Sequence, residues 1–184
     1  APSTPRDVKG LLNAAIEDPD PVLFLEHKRT YRLIKDEVPE EHYTIPIGQA
    51  NVTKEGKDLT IISYSRMAAV ALDVARRIEQ ENGLSIEVID VRSLRPLDTQ
   101  TIVNSVKKTN RAIVFEEDWL SFGVGAEIVA RVQEGAFDDL DAPVKRVASV
   151  EVPLPYSKPL ERAALTGAKQ LVDAIQELAP RRRR

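Results

Sequence analysis

The 184-residue sequence has no cysteine, which excludes disulfides, thiol nucleophiles and cysteine-ligated zinc outright. It has two histidines, His27 and His42, too little material for a histidine-based metal site. Neither lies near an acidic or hydroxyl constellation in sequence that would make a triad, so both read as surface residues. No apolar run approaches the ~20 residues of a membrane span, and the first residues are not expected to act as a signal peptide. Neither sign of charge dominates, and a net charge of −3 gives no reason to expect a nucleic-acid or membrane partner. Internal repeats are absent. The one biased stretch is residues 181–184, four arginines after Pro180. It reads as a solvated tail, with a basic contact to phosphate or an acidic partner as the alternative. What remains is 42% apolar and 30% charged, enough for one domain with a core plus a remnant of another.

The chain starts at Ala1 without a methionine and runs straight into a helix signal, as expected of a piece cut from something longer. Thr4 is placed to cap a helix beginning at Pro5, where a missing N–H costs nothing, with Asp7 three residues on. Val8, Leu11, Leu12, Ala15 and Ile16 follow at helical spacing on one face. Asp18-Pro19-Asp20-Pro21 stops this helix, because each proline removes a donor and restricts its predecessor. Val22-Leu23-Phe24-Leu25 predicts a short strand buried on both faces. Residues 1–32 thus read as a helix–strand remnant of an α/β domain, with an unpaired edge and an apolar helix face calling for a partner chain or leading to aggregation. Residues 33–46, polar and carrying Pro39 and Pro46, read as a linker.

From residue 47 to 180 the pattern is a regular alternation. Strands are predicted at 59–64, 86–91, 112–115 and 144–150, and an edge strand near 50–53. Helices fall between them: Met67, Val70, Ala71, Val74 and Ile78 mark one ended by Gly83, and Asp98 caps another containing Ile102, Val103 and Val106. Two more are expected over 123–134 and 167–178. Strands alternating with helices of ~10–15 residues predict a doubly wound α/β fold with a mainly parallel sheet.

In such a sheet, ligands bind outside the carboxyl ends of the strands. Glu116 and Glu117 lie there, adjacent, so their side chains diverge and cannot form an acid/base pair; cap or surface roles are expected. Gly123 and Gly125 open a helix. Their spacing is neither the dinucleotide fingerprint nor a phosphate loop, which favours close packing over an anion site. Val152-Pro153-Leu154-Pro155-Tyr156 is a rigid apolar loop suited to structure or to a protein contact. Tyr31 and Tyr43 read as packing residues. The turn after the first helix is different. Its last carbonyls carry the negative helix end, and Asp18 and Asp20 stand just beyond: hard ligands for a hard cation, or a plain solvated helix stop.

Read together, these motifs resemble a known family. Pro-Ser-Thr-Pro-Arg-Asp-Val-Lys-Gly-Leu-Leu (2–12), Ala14-Ala15-Ile16-Glu17-Asp18 and Pro21-Val22-Leu23-Phe24-Leu25-Glu26 look like the end of the pyrimidine-binding domain in β subunits of thiamine diphosphate-dependent 2-oxo acid dehydrogenases. Ile45-Pro46-Ile47-Gly48-Gln49-Ala50 resembles the start of their transketolase-like C-terminal domain. Tyr64-Ser65-Arg66-Met67, the run 88–98 and Ser105-Val106-Lys107-Lys108-Thr109 continue the match in order, to about residue 178. Trp119 with 122–128, Leu140-Asp141-Ala142-Pro143 and 152–156 favour the pyruvate member over the branched-chain one.

The resemblance implies a role in oxidative decarboxylation of pyruvate with acetyl transfer to lipoamide. It implies thiamine diphosphate and magnesium in an assembled α2β2 enzyme, not bound by this chain alone. The activating glutamate and the assisting histidine of that family precede the Pro-Ser-Thr-Pro segment, so no catalytic residue is expected here. A structural potassium ion is implied at the carbonyls of Ala15 and Ile16 with Asp18 and Asp20. Implied partners are an α subunit, a second β subunit, the missing N-terminal half and the dihydrolipoyl acyltransferase core, the last through Asp138, Asp139 and Asp141. A bacterial cytoplasm or an organelle matrix or stroma is the implied compartment. Two alternatives stay open: a non-enzymatic interaction module, and a nucleotide-binding regulatory domain using the Gly123–Gly125 turn.

Overall fold

Three segments are buried on both faces, and this settles where the sheet centre lies. Leu59–Ser63, Ile86–Asp90 and the first half of Ala112–Trp119 are buried throughout. A strand buried on both faces needs cover above and below, the situation of a parallel sheet between helix layers. The structure, a computed structural model, describes residues 1–179; the arginine run at 181–184 lies outside them. Its strands are β1 (Asn51–Lys54), β2 (Leu59–Ser63), β3 (Ile86–Asp90), β4 (Ala112–Trp119) and β5 (Lys145–Ser149). Their order is β1-β3-β2-β4-β5, with β1 antiparallel to β3 and the other pairs parallel.

The helices are α1 (Pro5–Glu17), α2 (Thr30–Leu33), α3 (Ser65–Asn82), α4 (Thr99–Thr109), α5 (Val124–Ala136), α6 (Lys158–Ala164) and α7 (Ala168–Leu178). On one face of the sheet, Met67, Val74 and Ile78 of α3 and Leu171 and Ile175 of α7 pack against Leu59, Ile61, Val88 and Phe115. On the other, Ile102 and Val106 of α4 and Ile128 and Val132 of α5 pack against Ile62, Ile89 and Val114. Alternate residues of one strand thus serve opposite layers, as the pleat requires. Thr60, fully buried, is satisfied by Ser105 and Thr109 of α4 at 2.7 Å each. Asp98 caps α4 as its sequence predicts, accepting from the Thr101 N–H at 3.1 Å, and also accepts from the Ala50 N–H at 2.9 Å. The doubly wound, mainly parallel expectation is met.

The first 17 residues are docked on this domain. Thr4 caps α1, its hydroxyl accepting from the Asp7 N–H at 3.1 Å. Asp7 is buried against Arg92 at 2.6 Å, and the Ser3 hydroxyl donates to the carboxylate of Asp90 at the end of β3. Gly10 lets Tyr43 and Ile45 lie against the helix. A Cβ there would meet Ile45 Cγ1 at 2.6 Å, and the Ile45 N–H donates to the Gly10 carbonyl at 3.0 Å.

The apolar face of α1 stays partly open, as expected: Leu11 is buried, but Ile16 keeps 73% of its surface in water and Leu12 is also exposed. Two expectations are corrected, and one helix is new. Residues 22–25 form no strand; they have no ladder partner among the described residues, and Leu23 is 90% exposed. A strand is defined by its neighbour, and the sheet edges are already β1 and β5. Tyr31 is exposed rather than packed, its hydroxyl donating to Glu26 at 2.8 Å. The short helix α6 was not foreseen, because among its residues only Ala164 is buried and no periodic apolar face announces it.

Candidate functional site

From β2 the chain crosses to β3 on one side, then jumps back over β2 to β4 on the other. The switch point therefore lies at the carboxyl ends of β2 and β4, where open α/β sheets form their ligand crevice. Tyr64, Ser65 and Arg66 leave β2 there, Ser65 with a left-handed φ of 52°. Facing them is the end of β4, which runs on through Trp119 rather than stopping at Phe115 as predicted.

Glu116 and Glu117 diverge, as adjacent strand residues must. Glu116 is 1% exposed and turns toward α5, accepting from the Gly125 N–H at 2.8 Å and from the Tyr64 hydroxyl at 3.3 Å. Arg146 of β5 approaches it at 3.5 Å. Burial pushes the Tyr64 phenol up, and the neighbouring Glu116 charge pushes it further. Gly125 is required here: a Cβ would stand 2.1 Å from Glu116 Oε1. The glycines at this helix start thus make room for a buried carboxylate cap. With that N–H donated to a carboxylate and more acid alongside, this is no anion cradle, and the nucleotide-binding alternative loses its site.

Glu117 points the other way, to Arg66 Nη1 at 2.9 Å and His27 Nε2 at 2.8 Å. His27 is therefore half-buried in a polar cluster, not the free surface residue expected. Its partner lies 90 positions away and Arg66 lies 51 from Glu117, so no local pattern announces the group. His42 is exposed, as expected, beside Glu17 at 2.8 Å.

The turn after α1 keeps donors together. The Asp18 N–H closes the helix on the Ala14 carbonyl at 3.0 Å. Pro19 has no N–H to give the Ala15 carbonyl, and the Asp20 N–H turns to Asp18 Oδ1 at 2.9 Å instead of continuing the helix toward Ile16. Both carboxylates are exposed and face a cleft of about 470 Å³ shared with Arg92, Arg95 and Pro96. Among the described residues no cluster of three or more histidine or acidic groups is arranged to hold a metal, so an ion at this turn rests on carbonyls as much as on charge.

In the acidic loop, a 3-10 turn spans Phe137–Asp139. Asp141 pairs with Arg111 at 2.8 Å, and Asp139 approaches Lys107 at 3.8 Å. Asp138 is exposed. Two of the three acidic groups proposed for a partner are thus already near cations of their own chain.

Residues 48–171 match the family described as the transketolase C-terminal domain. The chain belongs to that family. It is 42% identical over 184 residues to the mitochondrial pyruvate dehydrogenase E1 component subunit beta of Dictyostelium discoideum, a match covering 98% of this chain and 51% of that protein. It is 44% identical to the 2-oxoisovalerate dehydrogenase subunit beta of Bacillus subtilis, covering 97% of this chain and 54% of that one. Among solved structures, a split-gene transketolase in its inactive beta4 tetramer superposes with a TM-score of 0.63 at 29% identity, covering 79% of this chain and 46% of the other. This transketolase C-terminal domain chain spans about half the length of the curated relatives it matches.

Proposed function

We propose that the chain is the assembly part of the β subunit in the decarboxylating component of a 2-oxo acid dehydrogenase complex, of the pyruvate type. The observation that carries this reading is the 42% identity to a pyruvate dehydrogenase β subunit along 98% of the chain. The assembled enzyme would decarboxylate pyruvate oxidatively with thiamine diphosphate and pass an acetyl group to lipoamide, in a bacterial cytoplasm or an organelle matrix. The described residues do not fit the cofactor. The Gly125 N–H already serves the Glu116 carboxylate, and no acidic cluster is arranged for magnesium. No chemical step is therefore assigned to this chain. For the turn at Ala15, Ile16, Asp18 and Asp20 the proposal is a potassium ion, and what supports it is a helix end where Pro19 has no N–H to give and the Asp20 N–H turns to Asp18. The partners are an α subunit, a second β subunit and the remaining β-subunit length. The acyltransferase core would meet Asp138, Asp139 and Asp141, whose charges steer encounter more than they tighten it.

Two further readings are tested alongside: the branched-chain enzyme, favoured by the 44% identity to the Bacillus protein, and an interaction module without enzymatic partners. The experiment is native mass spectrometry of the chain with an α subunit and the N-terminal half of a β subunit, followed by assay with both 2-oxo acids. A complex holding thiamine diphosphate and preferring pyruvate supports the proposal. Preference for 2-oxoisovalerate moves the reading to the branched-chain enzyme, and failure to assemble leaves the interaction module.

A further inference from the structure

Residues 22–34 run past the carboxyl ends of the strands with little apolar burial to hold them. Leu23, Leu25, Tyr31 and Leu33 are each more than half exposed. A segment with few buried apolar contacts sits at the low end of local stability. Among the described residues, one hydrogen bond joins it to the sheet domain, the contact of His27 Nε2 with Glu117 Oε2 at 2.8 Å. Arg66 holds the opposite oxygen of Glu117 at 2.9 Å, so the acceptor is fixed independently of the segment. The second ring nitrogen, His27 Nδ1, accepts from the Arg29 N–H at 3.3 Å. A nitrogen that accepts carries no proton, which in the neutral ring leaves the proton on Nε2, facing Glu117.

The pair also has a place in the cavities. One of about 320 Å³ lies against Tyr64, Ser65 and Arg66, and another of about 370 Å³ lies against Trp119, Val150 and Leu154. His27 and Glu117 line both, so the pair stands between them. We propose that residues 22–34 are a strap closed over the groove along the ends of β2, β4 and β5, fastened by the neutral Nε2–H form of His27 to Glu117. Undoing that contact joins the two cavities into one groove and frees the strap, while the sheet keeps its own ladder. The inference concerns the 184-residue chain without the β-subunit length that the proposed function gives it as a partner.

Two measurements on the 184-residue chain test it. Trypsin cleavage at Lys28, Arg29 and Arg32, all exposed, reports the population in which the strap has come away. His27→Ala is expected to speed those cuts about tenfold, the weight of one charge-assisted hydrogen bond of about 1.4 kcal/mol. Cuts at Arg76 and Arg77 in α3 stay unchanged, and acrylamide quenching of Trp119 rises. His27→Gln, whose amide nitrogen reaches the position of the ring Nε2, restores most of the protection. Strap cleavage unchanged in His27→Ala, or raised equally in both variants, overturns the proposal. The ring ¹⁵N shifts of His27 at pH 8 in the unmodified chain decide independently of any variant: a proton on Nε2 is expected, and a proton on Nδ1 overturns the fastening.

Discussion

Gly125→Ala tests the arrangement that organises the switch point. In an ordinary helix interior the change is favourable by about 0.5–1 kcal/mol, because alanine restricts the unfolded chain and exposes less backbone. Here the new Cβ would stand 2.1 Å from Glu116 Oε1, 2.8 Å from its Cδ and 3.1 Å from Val114 Cγ1. Val114 is buried in the layer beneath α5, so relief comes by moving the carboxylate. Moving it forfeits the 2.8 Å bond from the Gly125 N–H and the 3.3 Å bond from Tyr64, and leaves Arg146 facing a weakened partner. Disrupting a buried, charge-assisted set of this kind costs about 3 kcal/mol. For a chain of this size that lowers Tm by about 6–12 °C. Urea unfolding followed by circular dichroism measures it, and a double-mutant cycle attributes it. In a Glu116→Ala background the carboxylate is gone and only the 3.1 Å approach of Val114 Cγ1 remains, so Gly125→Ala should cost less than about 1 kcal/mol, giving a coupling of about 2 kcal/mol. An equal cost in both backgrounds, or wild-type stability of the single variant, refutes the reasoning.

Four other outcomes follow from the same contacts. Asp7→Ala leaves Arg92 unpaired in the joint between α1 and the sheet, and hydrogen exchange throughout α1 should rise about a hundredfold with β2 and β3 unchanged. Burial raises the Asp90 carboxyl from 3.8 to about 6, with the Ser3 bond pulling down and the Asp7 charge adding to the rise. Because the folded pKa exceeds the unfolded one, this group's contribution is full below about pH 4 and lost as pH rises through 6, about 2–3 kcal/mol in all. The urea midpoint of the wild type relative to Asp90→Asn should fall across that window, and a pH-independent difference would count against it. Potassium at a hundred times its Kd should add about 2.7 kcal/mol over choline, an increment lost in the Asp18→Ala, Asp20→Ala double variant. Asp138→Lys should slow association with the acyltransferase core about two- to fivefold at low salt, with the effect fading as salt is added.

The parts of the fold that were legible are those decided within a few residues. Thr4 and Asp98 cap helices because a short oxygen side chain meets an N–H three positions on, and both bonds are present. β2 and β3 were legible because short β-branched runs alternate with helical patterns along the chain, although each also buries polar residues, Thr60 and Ser63 in one and Glu87 and Asp90 in the other. The ends of Glu116 and Glu117 were legible as a divergence, since alternation is a local rule; what each meets was not. Glu116 finds Gly125 nine residues later, whereas Glu117 finds Arg66 and His27 only through the crossover and the returning strap. Residues 22–25 show the same limit from the other side. Their composition states a demand for burial, but a strand answers that demand only through a neighbouring strand, and Leu23 stays in water for want of one. An apolar run thus reports what a segment needs, and only the tertiary arrangement reports whether the need is met. Where it is not met, at Leu12, Ile16 and Leu23, the chain presents the surface on which a companion would act first.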